Sequence, residues 1–216
     1  MVELISIDYS RVTRLFALSR PDGWPFMPAV AHALVQKYKF GEAPASVQDF
    51  KNDSLKFGVG EFNGAPIDEF AIYSDGVIAK GRTDSDNLLG FLDDVIDLAA
   101  EAGFKAVETH DIHTLFESNI MVRSSTELLK VLEAVHPISK ALAKAFHEAT
   151  GAKHHFDYAG IALGADPRNI TTLRPSAFRV DRRSDIEFEK LFYASLAPLP
   201  TKKHVALLSA LEELYR

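Results

Sequence analysis

The chain contains no cysteine among its 216 residues. This absence excludes a disulfide scaffold, a thiolate zinc site, an iron–sulfur cluster and a cysteine nucleophile. Long apolar runs are also missing, since no stretch reaches the length that spans a bilayer. The first residues lack the basic start and the long apolar segment of a signal peptide. We therefore expect a soluble, cytoplasmic protein with no membrane partner.

Basic residues are fewer than acidic residues in this chain. The chain has 24 Lys and Arg against 30 Asp and Glu, which gives a formal net charge of −6. A protein with this balance repels phosphate backbones, so nucleic acid is an unfavoured partner. Hydrophobic residues make up 47% of the chain, which is enough to build a buried core.

Motifs for phosphate binding and for acyl transfer are absent. The glycines at 58, 60 and 64 have the wrong spacing for a dinucleotide loop, and they lead into a strand instead of a helix N-terminus. The chain has neither a P-loop nor a G-x-S-x-G elbow. We find no family signature and no identifiable catalytic residue.

Hydrophobic spacing and capping residues predict four helices. One begins within residues 83–86, which offer several candidate N-caps, and ends at Gly103. A second follows the capping-box pattern of residues 124–127 and ends at Gly151, with a kink or a break near 134–136 because Pro137 cannot donate to the helical ladder. The others cover about 28–38 and the segment from Thr201 onwards. An Asp-Gly turn predicts a hairpin over residues 68–82, and a second hairpin is expected to close through residues 183–185.

The resulting order of elements is the same in both halves of the chain. Residues 1–103 and residues 104–216 each read as two strands, a helix, three strands and a helix. We therefore expect an α+β fold with largely antiparallel sheets and flanking amphipathic helices. The repeated order favours a tandem duplication of a ββαβββα unit, with the two halves as separate domains or as one compact domain.

Histidines near acidic residues form one candidate site. Imidazole nitrogens and carboxylate oxygens suit zinc, manganese or non-haem iron, so these residues predict a divalent-metal site under the alternative that the protein is a metal-assisted hydrolase. Exposed or locally hydrogen-bonded side chains are the competing interpretation. The residues are His110, Asp111, His113, His155 and Asp157.

Arginines form a second candidate site, in the second hairpin. Guanidinium groups grip phosphate with fixed paired donors, so an arginine-rich hairpin predicts binding of phosphate or a small anion. Strand alternation points Arg179 and Arg182 to opposite faces, and nearby acids could pair with the charges instead. The residues are Arg174, Arg179, Arg182 and Arg183.

A proline-rich loop provides a third candidate. Residues Trp24, Phe26 and Met27 lie between three prolines, and a rigid loop of this kind could present them to a partner or fold over a sheet edge as a lid. Because no nucleophile or cofactor motif stands out, the sequence favours a non-catalytic binding, assembly or adaptor module without a cofactor. Its expected partner is another protein or a second copy of the chain.

Overall fold

The computed structural model describes residues 1–19, 28–46, 48–49, 54–107, 113–166, 168 and 175–214. Within these ranges the fold is α+β, as the sequence predicts. Four α-helices are present: α1 Pro28–Tyr38, α2 Ser85–Glu101, α3 His136–Thr150 and α4 Thr201–Glu213. The strands are β1 Glu3–Leu15, β2 Ala17–Ser19, β3 Ser54–Phe62, β4 Ala65–Tyr73, β5 Gly76–Gly81, β6 Lys105–Val107, β7 His113–Arg123, β8 Gly160–Leu163, β9 Phe178–Arg182 and β10 Phe192–Ala197.

Eight of these strands form one antiparallel sheet, in the order β3-β4-β5-β1-β7-β10-β9-β8, and β2 pairs with β6 separately. Residues 1–103 contribute the order β3-β4-β5-β1, and residues 104–216 contribute the corresponding order β8-β9-β10-β7. Apart from short 3-10 helices, the described part of each half therefore shows the elements in the predicted order ββαβββα. The duplication that this repetition suggests stays a prediction.

The chain forms two compact units. The α2 unit consists of Ile7–Asn119 with Pro198–Lys202 and contains α1 and α2. The α3 unit consists of Met1–Ser6, Ile120–Ala197 and Lys203–Arg216 and contains α3 and most of α4. No helix in the described ranges is long and apolar enough to cross a membrane.

Tight hairpins organise the sheet of the α2 unit. Strands β4 and β5 are joined through a two-residue turn, with Tyr73 opposite Gly76, which confirms the hairpin that the sequence predicts. A side chain at Gly76 is excluded, because its Cβ would lie 2.2 Å from the carbonyl oxygen of Arg14. Strands β3 and β4 are joined by Asn63 and Gly64, whose φ angles of 50° and 75° suit a tight hairpin turn.

An aromatic cluster fills the core of the α2 unit. Tyr38 of α1 and Phe91 of α2 pack edge to face, with their ring centroids 4.9 Å apart, and Phe70 of β4 contacts Phe91 at 5.1 Å. The Tyr38 hydroxyl donates to Asp94 at 2.7 Å, so the ring is buried while its polar atom is satisfied. Both helices thereby pack on one face of the sheet, as their predicted apolar spacing requires.

Helices α2 and α4 begin beside each other within the α2 unit. The Thr201 amide donates to Ser85 Oγ at 2.9 Å, and the Ser85 amide donates to Thr201 Oγ1 at 3.1 Å. Ser10 Oγ of β1 lies 3.1 Å from Thr201 Oγ1, and all three residues are buried. These reciprocal bonds satisfy backbone N–H groups that a helix start leaves free.

The core of the α3 unit contains polar side chains among its apolar ones. Glu212 of α4 is buried, and its carboxylate accepts bonds of 2.9 Å from Ser124 Oγ and 2.8 Å from both the amide and the hydroxyl of Ser125. The Met1 ammonium lies 2.6 Å from the same carboxylate. Burial raises the pKa of Glu212, but these donors outweigh it and hold the pKa at about 2.

The predicted helix after residues 124–127 is partly wrong. A 3-10 helix covers Lys130–Val135, and α3 begins only at His136, with Pro137 in its first turn. The expected break near 134–136 is therefore confirmed, whereas the capping box is not formed. Ser124 donates to Glu212 instead. A buried carboxylate without donors costs more free energy than the backbone N–H groups of an exposed helix start, which water can satisfy.

The second hairpin also differs from its prediction. Strand β9 ends at Arg182 and β10 begins at Phe192, so the connection runs over residues 183–191 and includes a 3-10 helix at Phe188–Lys190. Residues 183–191 therefore form no strand, and Phe188 packs on the guanidinium group of Arg182.

Candidate functional site

The predicted metal ligands can be followed only in part. His110 and Asp111 lie outside the described residues, and for His113 only the backbone at the start of β7 is described. His155 is exposed, and the Asp157 carboxylate accepts a 2.8 Å bond from the amide of Tyr158. The described part of the chain holds no group of three side chains able to bind a metal ion. The metal site stays a prediction.

The predicted anion site is split by the strand. Arg179 of β9 is exposed on the opposite face from Val180 and Arg182, as strand alternation predicts, and Arg174 lies outside the described residues. Arg183 makes a 2.5 Å ion pair with Asp185. The structure therefore does not bring these arginines into one patch within the ranges it describes.

Arg182 is held in a closed environment. Its side chain is only 6% exposed, and its guanidinium lies 4.9 Å from the ring centre of Tyr158 and 4.7 Å from that of Phe188. Glu127 accepts a 2.7 Å bond from it and a 2.8 Å bond from the Tyr193 hydroxyl. The charge of Arg182 is thus neutralised inside the fold, and the arrangement ties the segment after β7 to strands β9 and β10.

The predicted partner-binding residues Trp24, Phe26 and Met27 all lie outside the described residues. Their role stays a prediction.

A serine–histidine pair is present that the sequence did not reveal. Ser195 Oγ of β10 lies 2.8 Å from His204 Nε2 of α4, and both residues are buried. The serine hydroxyl donates to the carbonyl oxygen of Arg179 at 2.7 Å, so Nε2 must donate to the serine oxygen. A nucleophile would instead give its proton to the imidazole. The pair therefore fixes α4 against β10 and does not activate the serine.

Burial also determines the protonation of this histidine. Removal of the ring from water lowers the pKa of His204 to about 4, because the charged imidazolium is disfavoured there. His204 is consequently neutral at physiological pH. It lies nine positions after Ser195, and no sequence pattern marks either residue as part of a pair.

Helix α3 carries an apolar stripe, which we define as Ile138, Ala141, Leu142, Ala145 and Ala149. Ile138 is 68% exposed and Leu142 is 49% exposed, and the three alanines are exposed as well. None of the residues of α3 is buried. The sequence correctly predicts an amphipathic helix here, but helical spacing does not tell which surface covers the apolar side.

Aromatic contacts beside the stripe explain how α3 is held. Phe146 packs against His154 with ring centres 5.2 Å apart and against Phe156 at 5.5 Å, and the His136 ring lies 5.5 Å from that of Tyr158. These contacts join α3 to the segment over residues 152–159. Phe146 lies one turn after Leu142 and so borders the stripe, but the stripe residues themselves stay exposed among the described residues.

Charged residues flank the stripe without covering it. Lys144 is exposed and makes a 3.8 Å ion pair with Glu148 one turn further along α3. The helix ends at Gly151, whose φ of 74° closes the last turn through a 2.8 Å bond to the His147 carbonyl. The stripe is therefore displayed on a regular helix with a defined end.

Comparison with known proteins adds no assignment. A scan against protein-family models finds no match for the chain, and a search of curated proteins finds no similar sequence.

Proposed function

We propose that the protein is a non-catalytic binding module that contacts a protein partner through the α3 stripe. The observation that carries the proposal is that the apolar face of α3 is exposed. The helix has 15 residues, and none of them is buried. Apolar area in water costs about 25 cal/mol per Å² relative to burial, so an open stripe of this kind favours association.

The geometry of the stripe suits a known mode of recognition. Ile138 and Leu142 lie one turn apart, and Ala145 and Ala149 continue the same side of the helix. Helices that dock into apolar grooves contact the groove through large side chains at this spacing. The small alanines permit close approach of a partner along the C-terminal half of the helix.

A photo-crosslinking experiment tests the proposal. A photoreactive amino acid replaces Leu142 in one protein and Lys140 in the control, since two residues along a helix lie about 200° apart around its axis. We expect an adduct with a protein from source-cell lysate at position 142 and none at position 140. The captured protein is then identified and purified, and its binding to the unlabelled chain must be lost in Leu142→Asp.

Three results would contradict the proposal. One is the absence of any adduct at position 142, and another is equal labelling at both positions. A captured protein whose purified form binds wild type and Leu142→Asp equally would also refute it, because the stripe would then not be the contact.

A further inference from the structure

The two hairpins of the α2 unit each have a glycine at the turn, and these two glycines differ in their exposure. Asn63 and Gly64 form the turn between β3 and β4, and both residues are exposed. A Cβ atom added at Gly64 would meet no atom beyond its chain neighbours within 4 Å. The peptide bond between Asn63 and Gly64 is therefore accessible to water among the described residues.

The glycine of the β4–β5 hairpin is enclosed instead. Gly76 is buried, and a Cβ atom added to it would lie 2.2 Å from the carbonyl oxygen of Arg14 and 3.1 Å from the Cα atom of Leu15. The Phe16 amide also donates to the carbonyl oxygen of Asp75 at 3.0 Å, which holds the Asp75–Gly76 peptide group in place. The two turns therefore place the same type of dipeptide, an Asn or Asp followed by Gly, in opposite environments.

We propose that Asn63 is a site of spontaneous deamidation in the folded protein. The backbone nitrogen of Gly64 attacks the side-chain carbon Cγ of Asn63, and the new C–N bond closes a five-membered succinimide ring. The bond from Cγ to the side-chain nitrogen breaks, and that nitrogen leaves as ammonia with the proton of the Gly64 N–H. Water then adds to either carbonyl of the ring and opens it, which yields aspartate or isoaspartate at position 63.

The residue after the asparagine decides where this reaction is favoured. A side chain at that position crowds the ring as it closes, and glycine has none. The sequence contains five asparagines, and Asn63 is the one that glycine follows. Asn87 precedes a leucine within α2 and Asn119 precedes an isoleucine within β7, so regular structure also fixes the backbone at both.

Local opening of the turn controls the rate. The φ angles of 50° at Asn63 and 75° at Gly64 define the closed turn, and the backbone of Asn63 must rotate before the Gly64 nitrogen can reach Cγ. Within the described residues, the side-chain amide of Asn63 is held only by a long bond of 3.5 Å to Asn87 Oδ1. Exposed hairpin ends open at a lower free-energy cost than helices and central strands do, so the reaction proceeds without unfolding of the α2 unit.

The two products affect the hairpin differently. Aspartate at position 63 still suits a tight hairpin turn, and its charge lies beside Asn87 in the first turn of α2, where the helix dipole favours an anion. Isoaspartate adds one methylene group to the main chain, so a two-residue turn can no longer join Phe62 to Ala65 in register. The Phe62 ring packs on Phe91 with ring centroids 5.7 Å apart, so this product loosens the edge of the aromatic core.

Peptide mass spectrometry of the aged full chain tests the proposal. The folded protein is kept at pH 8.5, and samples taken over several weeks are digested with trypsin, which releases residues 57–80, 83–105 and 106–123 as separate peptides. Electron-transfer fragmentation distinguishes isoaspartate from aspartate. We expect Asn63 to convert at least about tenfold faster than Asn87 and Asn119, because those amides react only when regular structure opens. The enclosed Asp75 should form no isoaspartate over the same time.

Two controls make the result decisive. The variant Asn63→Gly keeps a dipeptide that suits the turn, and on ion exchange it should not develop the acidic form that aged wild type acquires. Wild type unfolded in urea shows how fast the same bond reacts without the fold. Asn63 that stays intact in the folded chain overturns the proposal, and its conversion in urea would then show that the closed turn protects it. Equal conversion of Asn63 and Asn87 in the folded chain also overturns the proposal, because the open turn would then not select the site.

Discussion

Acid should destabilise the fold through His204. Its pKa is about 4 in the folded chain and near 6.5 when the ring is in water, because burial disfavours the charged form. Between these values the unfolded chain binds a proton that the folded chain does not. The stabilising contribution is therefore complete above pH 6.5 and is lost progressively as the pH falls towards 4.

The magnitude follows from the size of the pKa shift. One pKa unit corresponds to about 1.4 kcal/mol, so the full shift represents about 3 kcal/mol. At pH 5 the loss amounts to about 2 kcal/mol, a large fraction of the stability of an ordinary domain.

The variant His204→Gln isolates this effect. Glutamine does not titrate, and its amide N–H can still donate to Ser195 Oγ. Urea unfolding at pH 7.5 and pH 5 gives the free energy of unfolding of each protein. We expect the variant to be less stable at pH 7.5 because the ring no longer fills its site, but to lose about 2 kcal/mol less than wild type on acidification.

The control removes a histidine from the surface instead. His147→Gln lies at an exposed position on α3 and should show the same acid response as wild type. An identical loss of stability in wild type and His204→Gln would refute the reasoning, because it would show that this imidazole is not the group that resists protonation.

Three further substitutions test the buried polar contacts by urea unfolding. Glu212→Gln should lower the free energy of unfolding by about 1.5–3 kcal/mol at pH 7, since hydrogen bonds to a charged acceptor are lost. The difference from wild type should shrink as the pH falls from about 4.5 to about 2, and a difference that stays constant would contradict this expectation. Thr201→Val should lower the free energy of unfolding by about 1–3 kcal/mol, because the buried Ser85 amide loses its acceptor. Thr201→Ser retains that acceptor, so equal stability of the two variants would refute the contact. Arg182→Lys keeps the charge but loses the planar stacking on two rings, and should cost about 1–2 kcal/mol; wild-type stability would show that the rings do not matter.

Local chemistry explains which parts of the fold were predictable. The Asp-Gly turn at the start of β5, the capping residues 83–86 and the glycine after α3 each act within a few residues, so their effects are visible in the sequence. The structure selects Asp84 as the N-cap among those four candidates. Helices α1 and α2 also present apolar spacing that matches the face they bury.

Contacts over long sequence distances were not predictable in this way. Glu127 follows a serine-rich start that resembles a capping box, yet its carboxylate binds Arg182 and Tyr193, more than fifty residues away. Helix α4 buries Thr201, His204 and Glu212 beside Leu208, so polar residues define much of its inner face. Hydrophobic spacing cannot identify such a face, because the partners that satisfy these groups come from other elements.

The sequence by itself determined the order of elements, the turns that join β4 to β5 and the amphipathic character of α3, since periodicity and capping act along the chain. Only the tertiary structure decided which apolar face is covered. The stripe on α3 has the same spacing as the face that α2 buries, but among the described residues no layer packs on it. Burial depends on which elements meet, and that is a property of the folded chain as a whole.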